Sequence, residues 1–125
     1  MNVRSELGRL GEQYAVQYLE HSGWKVLAQN ARFKQLEVDI IAARGGTVAF
    51  VEVKTRRGDA FGSPEEAITK AKVRRLAIAL AQYARQNAVT NCRIDAIAIV
   101  FGFDDKKPIL RHYEAIGGSN LAFLP

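Results

Sequence analysis

The stretch Glu37-Val38-Asp39-Ile40-Ile41-Ala42-Ala43-Arg44-Gly45-Gly46-Thr47-Val48-Ala49-Phe50-Val51-Glu52-Val53-Lys54-Thr55 decides the fold. Two runs rich in β-branched residues flank Gly45-Gly46, and glycine supplies the positive φ that a tight antiparallel turn needs. The stretch therefore reads as a β-hairpin. With Gly45 and Gly46 as the loop, Arg44 falls opposite Thr47, Asp39 opposite Glu52 and Glu37 opposite Lys54. A four-residue loop gives the same pairing, whereas a three-residue loop would shift it by one. Strand side chains alternate, so Glu37, Asp39, Glu52 and Lys54 are expected on one face.

Directly opposed residues on a sheet have Cβ atoms roughly 4.5–5.5 Å apart. Two carboxylates at that spacing repel, more so on a half-buried face. A hard divalent cation such as Mg²⁺ or Mn²⁺, held by carboxylate oxygens, would compensate. So would a surface cluster in which Glu37 pairs with Lys54 and the other two acids stay in water.

Upstream of the hairpin, Glu6 to His21 reads as a helix with Ser5 as N-cap and Gly23 as stop. Leu7, Leu10, Gly11, Tyr14, Ala15, Tyr18 and Leu19 make its apolar stripe. Glu12 lies at the stripe's edge, either reaching inward or sitting as an ordinary boundary residue. Trp24 to Asn30 reads as a strand. Asn30 to Leu36 reads as a connection carrying Arg32 and Lys34.

Downstream, Arg56-Arg57-Gly58-Asp59-Ala60-Phe61-Gly62 reads as a basic loop suited to phosphate contacts and base stacking. Ser63-Pro64-Glu65-Glu66 is a helix start, with Ser63 as N-cap, Pro64 at the first position and Glu66 closing a capping box. That helix is expected to run to about Gln86, burying Ile68, Leu76, Ala79, Leu80 and Tyr83. Lys72 falls within the buried face, so it either snorkels out or works near the acidic cluster. Asn91 to Phe101 is apolar on both faces and reads as a central strand, with Arg93 and Asp95 as a structural ion pair. Pro108 to Glu114 reads as a short edge strand. Residues Ala115 to Pro125 read as a loosely attached tail, docking through Leu121 to Leu124.

The element order is αβββαββ, an α/β domain with a mixed central sheet flanked by helices. The crossover helix makes the strand ending at Lys54 parallel to the one starting at Asn91. Residues 1–125 suffice for one domain with a single core. Eighteen basic against thirteen acidic residues give a net charge of +5, favouring a polyanionic partner, nucleic acid before acidic membrane. A single cysteine, Cys92, excludes an internal disulfide and suits a reducing cytoplasm. The longest apolar run, around Ala96 to Phe103, is too short to span a bilayer, and the charged start is not read as a signal peptide.

Asp39, followed thirteen residues later by Glu52-Val53-Lys54 on the next strand, resembles the PD-(D/E)-x-K nuclease signature. Gly11-Glu12, Asn30-Ala31-Arg32, Glu37-Val38-Asp39-Ile40-Ile41, Val51-Glu52-Val53-Lys54-Thr55-Arg56, Lys72 and Arg93-Ile94-Asp95 occur in the order seen in the YraN family of bacterial proteins. The resemblance runs from Gly8 to Val100 and implies a restriction-endonuclease-like fold, akin to archaeal Holliday-junction resolvases. By resemblance, Asp39 and Glu52 are metal ligands, the Val53 carbonyl is a third oxygen donor, and Glu12 is an acid that the first helix sends toward the metal. Lys54 would orient or activate the attacking water. Arg32, Arg56, Arg57 and Lys72 would bind substrate, and Glu37 would support the site. The family usually has glycine where this chain has Leu36, which would narrow substrate access. The implied function is an Mg²⁺- or Mn²⁺-dependent DNA endonuclease acting on branched DNA, as a homodimer by analogy with junction resolvases. The alternative is a non-catalytic nucleic-acid-binding or recombination-adaptor module that kept the fold.

Overall fold

The computed structural model describes residues 3–58, 62–104 and 107–117. Loop positions Asp59, Ala60 and Phe61, and the tail from residue 118 onward with Leu121 and Leu124, lie outside the described residues.

The hairpin forms in the register its turn dictates. Strands β2 (Leu36–Arg44) and β3 (Thr47–Arg57) pair antiparallel from Arg44↔Thr47 to Ile40↔Val51. Gly45 and Gly46 make the turn at φ 56° and 82°. The remaining elements are α1 (Val3–His21), β1 (Lys25–Phe33), α2 (Lys70–Gln86), β4 (Asn91–Phe101) and β5 (Ile109–Tyr113). They build one sheet in the order β1-β2-β3-β4-β5. β3 and β4 run parallel, joined by the crossover through α2, and the other neighbours are antiparallel.

A helix covers each face. Val73, Leu76 and Leu80 of α2 pack with Val48, Phe50 and Ile94, and the Phe50 ring sits against Phe33 and Tyr83 at 5.4 and 5.5 Å. On the other face Ala15 and Leu19 of α1 pack with Ile40, Val51, Ile97 and Ile99. β3 and β4 are thus buried on both sides, which is why they read as unbroken apolar runs. No helix among the described residues is long and apolar enough to cross a membrane.

Four sequence expectations are corrected. β1 continues past Asn30 to Phe33 and turns through Lys34 (φ 56°) into β2, so the expected connection is a second hairpin. The helix expected from Ser63 to Gln86 is split. Pro64–Ala67 forms one 3₁₀ turn without a Ser63 side-chain cap, and Ile68 is extended and fully buried. Thr69 then caps α2, its hydroxyl accepting from the Lys72 N–H at 3.1 Å. Glu65 meanwhile takes Arg111 (2.6 and 3.0 Å) and Tyr113 (2.6 Å) from β5, which ties the 3₁₀ turn to the sheet. Residues 115–117 are not loosely attached. Ile116 is fully buried and donates its N–H to Ile94 O at 2.7 Å, and the Ala115 N–H reaches Asp95 Oδ1 at 2.9 Å. On α1, Ser5 lies inside the helix and Leu10 is exposed rather than in the stripe.

Candidate active site

The β2–β3 ladder stops one step short of the acidic pair. Beyond Ile40↔Val51 the next facing positions are Asp39 and Glu52, and there the Asp39 carboxylate Oδ2 accepts the Val53 N–H at 2.8 Å. A side chain has taken a backbone donor, and the hairpin opens at that point.

Asn30 shares responsibility for the opening. It sits in β1 at φ 53°, a conformation that asparagine adopts more readily than most residues. Ala28 and Ala31, on either side of it, both pack into the α2-side core, and so do Val38 and Ile41 on β2. Residues three apart on one face mean that alternation breaks on both strands there, while the pairing stays in register from Ala28↔Ile41 to Ala31↔Val38; the register shift of this pair lies earlier, between Val26 and Ala28. Glu37, Asp39, Glu52 and Lys54 all line one cleft, but Glu37 enters it from a different side than the alternation predicts. Val38 faces α2, so Glu37 points to the α1 side. There Asn30, with its amide turned to donate, links Glu37 Oε1 (3.2 Å) to Glu12 Oε1 (3.1 Å). Glu37 also meets Arg32 at 3.6 Å in an exposed pair and is not the partner of Lys54.

Glu12 arrives from α1, and the residue before it explains how. Gly11 is buried against β3, where a Cβ would overlap Thr55 Oγ1. Only a bare backbone lets the helix lie this close, and the next residue is thereby delivered to the cleft.

Glu52 is the centre of the site. It is 1 % exposed, yet it lines a cleft of about 840 Å³ together with Glu12, Asp39, Val53, Lys54 and Lys72. Its Oε2 meets Lys72 Nζ at 3.0 Å and Lys54 Nζ at 3.3 Å. Its Oε1 has no hydrogen-bond partner among the described residues. A buried carboxylate oxygen without a donor is costly, and its lone pairs are available to a cation. Lys72, which the sequence left between snorkelling and a role near the acids, is at the acids.

The neighbouring acids hold their protons unusually well. Burial, then the charge of Glu52, with Glu12 adding to both, pushes Asp39 up to about 7 against the opposing pull of the Val53 N–H and Lys54. Burial likewise raises Glu12, with Glu37 and Glu52 adding to it and Asn30 opposing. Four carboxylates, Glu12, Glu37, Asp39 and Glu52, line one partly dry cleft, and a divalent cation would relieve their repulsion. The donor set is all oxygen, which suits Mg²⁺ or Mn²⁺ rather than a thiophilic metal.

The expected substrate contacts are dispersed. Arg32 is exposed on the edge strand β1. Arg56 is half-buried and donates to Thr55 O at 3.0 Å, and Arg57 donates to Gly102 O at 3.0 Å. Both line a second groove beside the cleft. Leu36, where the family usually has glycine, lines the mouth of the acidic cleft. Sequence reasoning missed the bridging role of Asn30 and the Gly11–Thr55 contact, although Asn30 and Gly11 both stood in motifs. It also gave no role to Ile78 and Gln82, which follow Lys72 along α2 on the cleft wall.

A second trio, Asp95, His112 and Glu114, could in composition hold a metal but is already occupied. Arg93 lies 3.0 Å from Asp95 and 3.2 Å from Glu114, and His112 Nε2 is 2.8 Å from Asp95. Burial would raise Asp95, but His112, the Ala115 N–H and Arg93 together hold it below its ordinary value. This is the structural ion pair expected from Arg93 and Asp95, with His112 and Ala115 added. It sits on the α1 side of the sheet with Ile97 and Ile99, away from Glu52.

A mixed five-stranded sheet, a helix on each face and an opened acidic hairpin define a restriction-endonuclease-like α/β fold. The chain belongs to the uncharacterised protein family UPF0102, which matches residues 11–99. It is 48% identical over 121 residues to a UPF0102 protein of Mycolicibacterium smegmatis, covering 92% of this chain and 95% of that one. It is 43% identical over 102 residues to a UPF0102 protein of Symbiobacterium thermophilum, covering 80% and 86%. Among solved structures it is similar to Archaeoglobus fulgidus Hjc, a Holliday junction resolvase from an archaeal hyperthermophile. The TM-score is 0.51 at 16% identity, covering 86% of this chain and 77% of that chain, a likeness of fold. Both the family and the resolvase-like fold agree with the resemblance read from the motifs.

Proposed function

We propose that this chain is a divalent-metal-dependent DNA endonuclease that hydrolyses phosphodiester bonds, with branched DNA as its substrate. The observation that carries this reading is Glu52. It is a buried carboxylate with one oxygen unpartnered among the described residues, beside an Asp39 whose pKa is raised to about 7 and a lysine two residues along the strand. The resolvase named above supports DNA as the partner through its fold, and the charge of +5 agrees.

When bound, Mg²⁺ or Mn²⁺ would neutralise the phosphate and lower the pKa of the attacking water. Asp39 and Glu52 would hold the ion, with Glu12 and the Val53 carbonyl as further oxygen donors. Asp39 would have to be deprotonated to hold it. Lys54 orients the water and stabilises charge on the phosphate. Lys72, 3.0 Å from Glu52, would meet the phosphate, and Arg32, Arg56 and Arg57 would hold the backbone without reading sequence. Glu37 keeps Asn30 and Glu12 in place. A homodimer suits a substrate with two strands to cut.

Incubation of the protein with labelled branched, flapped and single-stranded DNA tests the proposal. Cleavage with Mg²⁺ or Mn²⁺ is expected, falling by orders of magnitude in Asp39→Asn. No cleavage across the panel with either metal would count against it. The second reading, a non-catalytic DNA-binding or adaptor module, is favoured by one observation: Lys54 and Lys72 already compensate Glu52 without a cation. It requires salt-sensitive DNA binding that survives Asp39→Asn and Glu52→Gln.

A further inference from the structure

The acidic cleft does not end at Lys54. A second groove shares Glu12 and Lys54 with it, follows the end of β3 past Arg56 and Arg57, and ends at Phe103 in the turn after β4. Phe103 is 81 % exposed, the most exposed large apolar side chain among the described residues. A single exposed apolar residue is ordinary on a protein surface. This one differs in how it is held and in what surrounds it.

Gly58, at φ +66°, lies directly against the ring, and a Cβ there would be 2.7 Å from Phe103 Cε2. The aromatic therefore rests on bare backbone. The Gly58 N–H donates to Phe101 O at 2.7 Å, and Arg57 donates to Gly102 O at 3.0 Å. Both bonds tie the Phe103 turn to the end of β3, so the ring is seated rather than trailing. The groove leading to it carries Lys54, Arg56 and Arg57, which complement a phosphate backbone.

We infer that Phe103 stacks an unpaired base of a DNA strand whose backbone runs over Arg56 and Arg57 toward the acidic cleft. Gly58 lies four residue steps beyond Lys54, just past the end of β3. Those steps span about 13 Å, the length of roughly four base-stacking steps of about 3.4 Å. The stacked base then lies a few nucleotides from the phosphate in the cleft. Bases inside an intact duplex already stack on their neighbours and offer no free face. The substrate is therefore single-stranded beside the cut, as in a flap or the open centre of a branch. The stacking stands on its own geometry, and only its position relative to a cut rests on the endonuclease reading.

Fluorescence anisotropy of the full chain in EDTA, with a labelled mixed-sequence single strand and its blunt duplex, tests the inference. Phe103→Ala is expected to weaken single-strand binding by about 5- to 100-fold, the range produced by losing one stacked base. Duplex binding and the melting temperature should not change. Phe103→Leu, which keeps apolar bulk without a π face, should behave like Phe103→Ala. Phe103→Trp should restore binding, with its indole emission quenched by the strand. Unchanged single-strand affinity in Phe103→Ala, or equal losses on strand and duplex, would overturn the stacking role while leaving the nuclease reading intact. If the parent chain binds neither DNA, the stacking role falls, and the nuclease reading stands or falls on the cleavage assay with metal.

Discussion

At the scale of single residues, Asp39 sets the pH behaviour. Its carboxyl binds a proton at about 7 in the folded chain, against an ordinary value of 3.8. Between those values the folded state holds more protons than the unfolded one, so this residue's contribution makes stability fall as pH rises from about 4 through 7. Glu12 is raised as well and acts in the same direction. In the absence of metal, Asp39→Asn should flatten this slope and stabilise the protein at pH 8 by on the order of 2 kcal/mol. Urea unfolding across that pH range measures both, and an unaltered slope would show that Asp39 is not buried among acids. The trio Asp39, Glu52 and Lys54 was legible because the register of a Gly-Gly hairpin is rigid arithmetic. The turning of Glu37 was not, because it depends on a left-handed Asn30 that no alternation pattern reveals.

Among the elements, α1 is placed by a missing side chain. Gly11 touches Thr55 of β3, and the helix can approach only because there is no Cβ between them. Gly11→Ala should raise intrinsic helix propensity by about 1 kcal/mol. The overlap with Thr55 should nevertheless win, for a net loss of about 1–3 kcal/mol, since overpacking forces backbone shifts. A lower urea midpoint and a larger loss of cleavage than of stability are expected, because Glu12 moves with the helix. A stabilised Gly11→Ala variant would contradict the placement. The hairpin, the parallel β3–β4 pair and the edge position of β5 were readable from periodicity and turn chemistry. The split before α2 was not. Ser63-Pro64-Glu66 carries every local sign of a helix start, but burial of Ile68 and the Glu65–Arg111 pair hold that turn apart, and Thr69 caps instead. The β1–β2 turn escaped notice because Lys34-Gln35 lacks the residues such turns prefer.

For the whole molecule, charge and topology act together. The sheet exposes the open end of its hairpin between the two helices, and the basic groove continues from that point. Binding to DNA should weaken linearly with the logarithm of salt concentration, and Arg57→Ala should reduce that slope by about 1 if its side chain meets one phosphate. A slope that does not change would remove Arg57 from the interface. The element order and family resemblance made the architecture legible, while the docking of Ile116 in the core escaped sequence reasoning because an isolated isoleucine in a glycine-rich stretch has no periodic context.

The most direct measurement is calorimetric titration of the metal-free chain with Mn²⁺ at pH 7, in buffers of different ionisation enthalpy. Binding should release protons from Asp39 and Glu12, since carboxylate ligands must be deprotonated. It should weaken at pH 5 and vanish in Glu52→Gln. Binding that persists unchanged in Glu52→Gln, or no binding by the parent chain, would contradict a cation site at the open end of the hairpin.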